Sequence, residues 1–164
     1  MNFMRDRRLD EIERVYRERQ RPFLRVAFAI TGDPDLAAEA VQQAFADVIR
    51  GRSAFRGGAP LEAWIWRAVV NAARKANRGR FHLVAAEDDG SAVEIPPETV
   101  TELAPHIAML PERQRIAIFL RYYADLDYRS IAEALDVKVG TVSATLAAAH
   151  ATIRQTIEGV KANG

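Results

Sequence analysis

Between Phe81 and Pro105 the chain carries six acidic residues and no Lys or Arg, and this stretch divides everything else into two short blocks. Glu87-Asp88-Asp89-Gly90-Ser91 and Pro96-Pro97 are turn-rich and poor in apolar periodicity, as expected of a linker. On either side the composition differs. Residues 1–80 hold 16 Lys+Arg against 10 Asp+Glu, and residues 106–164 hold seven against six, so the formal net charge of +1 conceals a basic front block and a near-neutral back block. A length of 164 residues permits two compact units with a tether between them. The expected domains are 1–80, a linker 81–105 and 106–164. Absence of cysteine excludes disulfides, thiolate metal sites and cysteine nucleophiles, and His82, His106 and His150 are too scattered to suggest a metal. No catalytic group, cofactor or metal is expected. No apolar run approaches the ~20 residues of a membrane span, and Met1 to Arg25 is too charged for a secretory signal, so membrane insertion is not expected and the cytoplasm is.

Both blocks have helical periodicity, which makes the expected fold all-α. In the first, Ile12, Val15, Tyr16, Leu24, Ala27 and Phe28 recur at a helical period up to a stop at Thr31-Gly32, with Pro22 expected to divide the segment. Asp33-Pro34 is a cap followed by proline at the first helical position, and Gly51 is expected to close that second helix in a left-handed conformation. Ala37, Ala40, Val41, Ala44, Phe45 and Val48 form its buried stripe, leaving Asp35, Glu39, Gln42, Gln43 and Asp47 on a polar face. Solvation alone accounts for most such faces.

A loop from Ser53 to Ala59, containing Gly57-Gly58, leads into a third helix with Leu61, Trp64, Ile65, Ala68, Val69, Ala72 and Ala76 as the expected inner stripe. Arg67, Asn71, Arg74 and Arg78 follow at spacings of four, three and four, so they share one side of that helix, with Lys75 adjacent. Guanidinium groups at this rhythm can neutralise successive phosphates, and the asparagine amide can bond a base edge. Trp64 is expected in the core. Trp66, on another side, is the candidate for partial exposure and base stacking.

In the second block a helix starts at Leu110-Pro111-Glu112 and is interrupted at Asp125-Leu126-Asp127. Asp127 then caps a short helix from Tyr128 to Leu135, Asp136-Val137-Lys138 turns the chain, and a last helix begins near Val139. Small Ala132 at the crossing, with apolar Val137 and Val142 flanking the turn, suits a helix-turn-helix. A helical hairpin without a DNA role has the same outline.

The residues Ala40-Val41-Gln42-Gln43-Ala44-Phe45, Ala63 to Asn71, Leu110 to Arg115, Tyr128 to Leu135 and Gly140-Thr141-Val142 resemble, in that order, the extracytoplasmic-function sigma factors of bacterial RNA polymerase. The resemblance spans most of the chain. It implies a front domain that binds core polymerase and opens the minus-ten element, and a rear domain that reads the minus-thirty-five element. On this basis Asp35, Glu39, Gln42, Gln43 and Asp47 would face polymerase. Phe55, Arg56, Gly57 and Gly58 would form a pocket for an extruded base, with Trp66, Arg67, Asn71, Arg74, Lys75 and Arg78 on the strand. In the rear domain the implied DNA contacts are Arg113, Arg115, Arg129, Lys138, Thr141, Ser143, Thr145 and Arg154. The implied partners are core RNA polymerase, promoter DNA and an anti-sigma factor that masks the polymerase surface. The 25-residue linker reaches about 25–30 Å as a coil and up to about 80 Å extended.

The last helix departs from the family. It reads Ser143 to Ile153 without a Lys or Arg, where family members usually carry several, and Lys138 and Asp136 replace a common serine cap and turn glycine. Each lost phosphate contact flattens the log–log salt dependence by about 0.9. Tethering on polymerase would compensate in part through effective concentration. The alanine-rich helix therefore leaves open a sigma-like protein that sequesters an anti-sigma factor, and a dimeric helix-turn-helix repressor is a third, less economical reading.

Overall fold

The computed structural model describes residues 6–84 and 103–164, with backbone alone for 80–84. Among them there are only helices: α1 (Arg7–Thr31), α2 (Pro34–Arg50), a single 3-10 turn (Arg52–Ala54), α3 (Leu61–Val84), α4 (Ala104–Ala108), α5 (Glu112–Tyr122), α6 (Tyr128–Leu135) and α7 (Val139–Ala162). The segment 81–105 expected to be a linker is helical at both margins, since α3 continues to Val84 and α4 starts at Ala104. Its acidic centre, with Glu87 to Ser91 and Pro96-Pro97, lies outside the described residues.

The caps lie where local chemistry asks for them. Gly32 ends α1 in the left-handed region (φ 66°), the Asp33 carboxylate accepts from the amides of Asp35 and Leu36, and Pro34 opens α2. Asp127 accepts from the Ser130 amide at 2.7 Å, and Asp136 ends α6 at φ 54° with its own amide bonded to the last turn. Aspartate is among the few residues besides glycine that tolerate this conformation.

Pro22 does not divide the first helix. α1 runs through it, although proline removes one backbone donor and crowds the carbonyl four residues back at about 3 kcal/mol. Packing outweighs that cost, because Ile12 and Val15 before it and Phe23, Val26 and Ile30 after it are all buried against one core. Gly51 is not left-handed either: its φ is −91°, because the chain keeps its right-handed sense into the 3-10 turn.

α1, α2 and α3 pack on one another around a stack of rings in which Phe23 lies 4.3 Å from Trp66 and 5.3 Å from Phe45. α5, α6 and α7 form the second bundle, closed by Ile116, Phe119, Leu120, Ile131, Val142 and Leu146. The bundles also touch. α1 lies against α5 and α3 against α6, so the buried residues of both form one continuous core.

This double contact explains a difference on α3. Ile65 and Val69 are buried as expected, but the other fully buried positions are Ala63, Trp66, Val70 and Ala73, while Leu61, Trp64, Ala68, Ala72 and Ala76 are half-buried. A helix packed on two sides has no single stripe.

Candidate nucleic-acid interface

On α2 the five polar candidates Asp35, Glu39, Gln42, Gln43 and Asp47 are all exposed, opposite the buried Ala37, Ala40, Val41, Ala44 and Val48. They are not equally available. The Asp47 carboxylate accepts from Gln43 Nε2 at 3.1 Å and is paired with Arg50, whereas the Glu39 carboxylate, with the uncharged Gln42 one turn on, sits at the centre of the face.

The loop before α3 presents Arg56, Gly57 and Gly58 to solvent. Gly57 sits at φ 78°, a conformation that strains any other L-residue, and a Cβ at either glycine would meet nothing within 4 Å. Phe55 is half-buried between the Arg8 guanidinium, 4.6 Å from its ring centre, and Trp64, 5.3 Å away and tilted at 42°. The aromatic beside this loop is Trp64. Trp66 is fully buried, so the expectation of a base-stacking Trp66 is corrected: its ring fills the gap against Phe23, and it reaches no solvent.

Along α3, Asn71, Lys75 and Arg78 are exposed and Arg67 and Arg74 are half-buried. The two half-buried arginines already have carboxylate partners in the other bundle. Arg67 pairs with Asp136 at 3.0 Å, and Arg74 Nε donates to Glu112 Oε1 at 3.2 Å. Arg74, Asn77, Arg78, Glu112 and Arg113 line a cleft of about 370 Å³ between the bundles.

In the second bundle Arg113, Arg129, Lys138, Thr141 and Ser143 are exposed, and Thr145 is half-buried. Arg113 shares a shallow groove with Gly140, Thr141 and Thr145, so the start of α5 and the first turns of α7 meet on one face. Lys138 supplies no side-chain cap to α7. Arg154 is not on this face: nine residues past Thr145 is half a rotation at 100° per residue, and it lines an apolar groove with Leu103, Ile107, Ile118 and Tyr122.

Arg115 is not on the surface at all. It is 8% exposed, its Nε donates to the Ala29 carbonyl at 3.0 Å and its Nη1 to the Leu110 carbonyl at 2.9 Å, which corrects its assignment as a DNA contact. Burial pushes its pKa below the ordinary arginine value, opposed by the nearby Glu112 charge. Two residues on from Arg113, it points to the other side of α5. Glu112 and Asp136 were not foreseen as site residues, because nothing in their local sequence reveals partners 38 and 69 residues away.

The arrangement is thus an exposed polar face, a glycine loop beside an aromatic pair, a cationic row and a helix-turn-helix, in that order. Residues 15–80 match the family model described as Sigma-70 region 2, and residues 106–153 match Sigma-70, region 4. These define a sigma subunit of the sigma-70 type. The chain is 32% identical over 139 residues to the ECF RNA polymerase sigma-E factor of Escherichia coli K12, covering 73% of each chain. It is 29% identical to the RNA polymerase sigma-H factor of Pseudomonas aeruginosa, covering 90% of this chain and 92% of that one. Among solved structures it is similar in fold to the sigma factor RpoE bound to the anti-sigma factor NepR from Bartonella quintana (TM-score 0.69, 19% identity, 89% and 98% of the two chains). CnrH bound to the cytosolic domain of CnrY is similar to the same degree (TM-score 0.68, 16% identity, 92% and 90%). The chain belongs to the extracytoplasmic-function sigma factors. Its function is to direct core RNA polymerase to promoters and to initiate transcription there.

Among the described residues no helix is long and apolar enough to cross a membrane. Nor do any three His, Asp or Glu residues among them gather as metal ligands.

Proposed function

We propose the following division of labour within this sigma factor. The α2 face centred on Glu39 and Gln42 binds core polymerase. The loop from Phe55 to Gly58, with Trp64 behind it, and the row Arg67, Asn71, Arg74, Lys75 and Arg78 take the melted minus-ten strand. The face shared by Arg113, Thr141 and Thr145, flanked by Arg129 and Lys138, reads the minus-thirty-five element, whereas Ser143, about 200° round α7 from Thr141, lies off that face. Residues 1–80 and 106–164 act as separate domains on polymerase, joined through 81–105. The protein works without catalysis of its own, in the cytoplasm, and an anti-sigma factor holds it inactive; the complex of RpoE with the anti-sigma factor NepR supports that last point by analogy.

The observation that carries this reading is the cationic row on α3 next to an open glycine loop, because capture of a single strand needs charge along the backbone and a ring on which a base can stack. The test is reconstitution with core polymerase on a promoter from the native host. Lys75→Ala with Arg78→Ala should reduce promoter opening at least tenfold and leave core binding unchanged, on the scale of about 1 kcal/mol per lost phosphate contact. Glu39→Lys with Asp47→Lys should instead weaken co-purification with core. Unchanged opening would remove the α3 row from DNA recognition, and undiminished co-purification would do the same for the α2 face.

A further inference from the structure

The two bundles also meet at the cationic row itself. Of its cations, Arg67 and Arg74 are half-buried and engaged, by Asp136 at the end of α6 and Glu112 at the start of α5. Lys75 and Arg78 remain exposed. Both carboxylates belong to the rear domain, and both sit where the backbone places them firmly: Asp136 in the left-handed turn of the helix-turn-helix, Glu112 in the first turn of α5 after Pro111. α3 packs on α6 and α1 on α5 beside the pairs, whose carboxylates stay open to solvent, and the buried Arg115 ties α5 to the Ala29 carbonyl of α1. The groove with Arg113, Thr141 and Thr145 stays open in this arrangement.

We propose that Glu112 and Asp136 are internal stand-ins for DNA phosphates, which mask Arg67 and Arg74 until the two domains separate. A carboxylate offers a guanidinium the same geometry as a phosphate oxygen pair, so each ion pair must be given up before that arginine can neutralise a strand. The mask is asymmetric. In the docked form the rear domain can meet duplex DNA while the front domain holds back half its cations, which suppresses capture of stray single strands away from polymerase. This inference rests on the assignment of the α3 row to single-stranded DNA.

The test uses the full chain without polymerase and a fluorescein-labelled 20-nucleotide single-stranded DNA of mixed sequence, followed by anisotropy across a salt series. Glu112→Gln with Asp136→Asn removes both charges while preserving shape, and asparagine tolerates the left-handed turn. Of the row's four cations, the wild-type chain should use only Lys75 and Arg78. The variant should bind roughly five- to tenfold tighter, as expected for freeing two partly exposed pairs. Its log–log salt slope should steepen by about 1.4, the value for two further contacts to a single strand. Adding Arg67→Ala and Arg74→Ala to the variant should return both quantities to the wild-type level. An unchanged slope in the Glu112→Gln, Asp136→Asn chain overturns the mask, as does a gain that survives loss of the two arginines. Failure of the underlying assignment is separate: it is read from Lys75→Ala with Arg78→Ala, which touches neither ion pair.

Discussion

Arg113 and Arg115 stand two positions apart in one motif and have opposite fates. Arg113 is exposed beside the start of α7, whereas Arg115 is buried and donates to carbonyls at the ends of two helices, Ala29 in α1 and Leu110 just past α4. Helix ends leave carbonyls without intrahelical donors, and the last turn of α1 has no basic residue of its own, so a guanidinium from 86 residues away serves as its cap and as the counter-charge to its dipole. A string of arginines does not disclose which of them turns inward. Trp66 teaches the same lesson from the apolar side: its ring packs at 4.3 Å from Phe23 with no exposed edge, although its indole nitrogen has no hydrogen-bond partner there. The cost of an orphaned N–H is outweighed by the area a tryptophan buries. Trp66→Ala should therefore destabilise the protein by about 3–5 kcal/mol in urea denaturation, the range for emptying a core aromatic site. Trp66→Phe, which removes the orphaned donor with part of the ring, should cost less than half as much. A Trp66→Ala loss below 1 kcal/mol would place that side chain outside the core.

At the scale of elements, what was legible from sequence was what neighbouring residues decide. Asp33-Pro34, Gly32, Asp127 and Asp136 each act within a few residues of themselves, and the structure has all four where cap chemistry puts them. Pro22, Gly51 and the buried side of α3 were misjudged because packing or the following turn decides them: a core on both sides of Pro22, a 3-10 turn after Gly51, and a second bundle against α3. The Asp127 cap yields a pH prediction. The Ser130 amide bonded to its carboxylate, followed by the Ser130 side chain, holds its pKa below the usual aspartate value. A depressed folded pKa means the contribution is fully present above the unfolded value near 3.9 and is lost as pH falls through the lower folded one. Asp127→Ala should then cost about 1 kcal/mol at pH 7. The difference from wild type should shrink steadily below pH 4, as thermal melts at a series of pH values would show; a difference constant down to pH 2 would mean that the carboxylate is not the capping group.

The docking of the two bundles is the property least visible in the sequence and the one with most consequence for the whole molecule. Its ties join residues 38, 69 and 86 positions apart, across an acidic stretch that by itself suggests only a tether. Two of them are ion pairs at partly exposed side chains, which salt weakens, while the third is buried and hydrogen-bonded, which salt screens far less. Arg115 should therefore dominate the coupling in solution. The placement of the tryptophans makes this measurable, because Trp64 and Trp66 both lie in the front bundle, so fluorescence follows that bundle alone while far-ultraviolet circular dichroism follows every helix. With one continuous core, the wild-type chain should unfold in urea as a single transition with coincident probes. Arg115→Ala leaves the Ala29 and Leu110 carbonyls without their donor and removes a buried hydrogen-bonded charge, a loss of about 3 kcal/mol in comparable settings. That loss falls on the joint through Ala29 and inside the rear bundle through Leu110, and leaves the front bundle's own core intact. In the variant, dichroism should begin to decline at lower urea than fluorescence, with the rear bundle leaving first because all its helices but α7 are short. Arg115→Lys should behave like the alanine variant, since a single ammonium cannot reach both carbonyls along the fork that a guanidinium spans. Coincident curves in Arg115→Ala would show that the apolar contacts between α3 and α6 hold the bundles together without it.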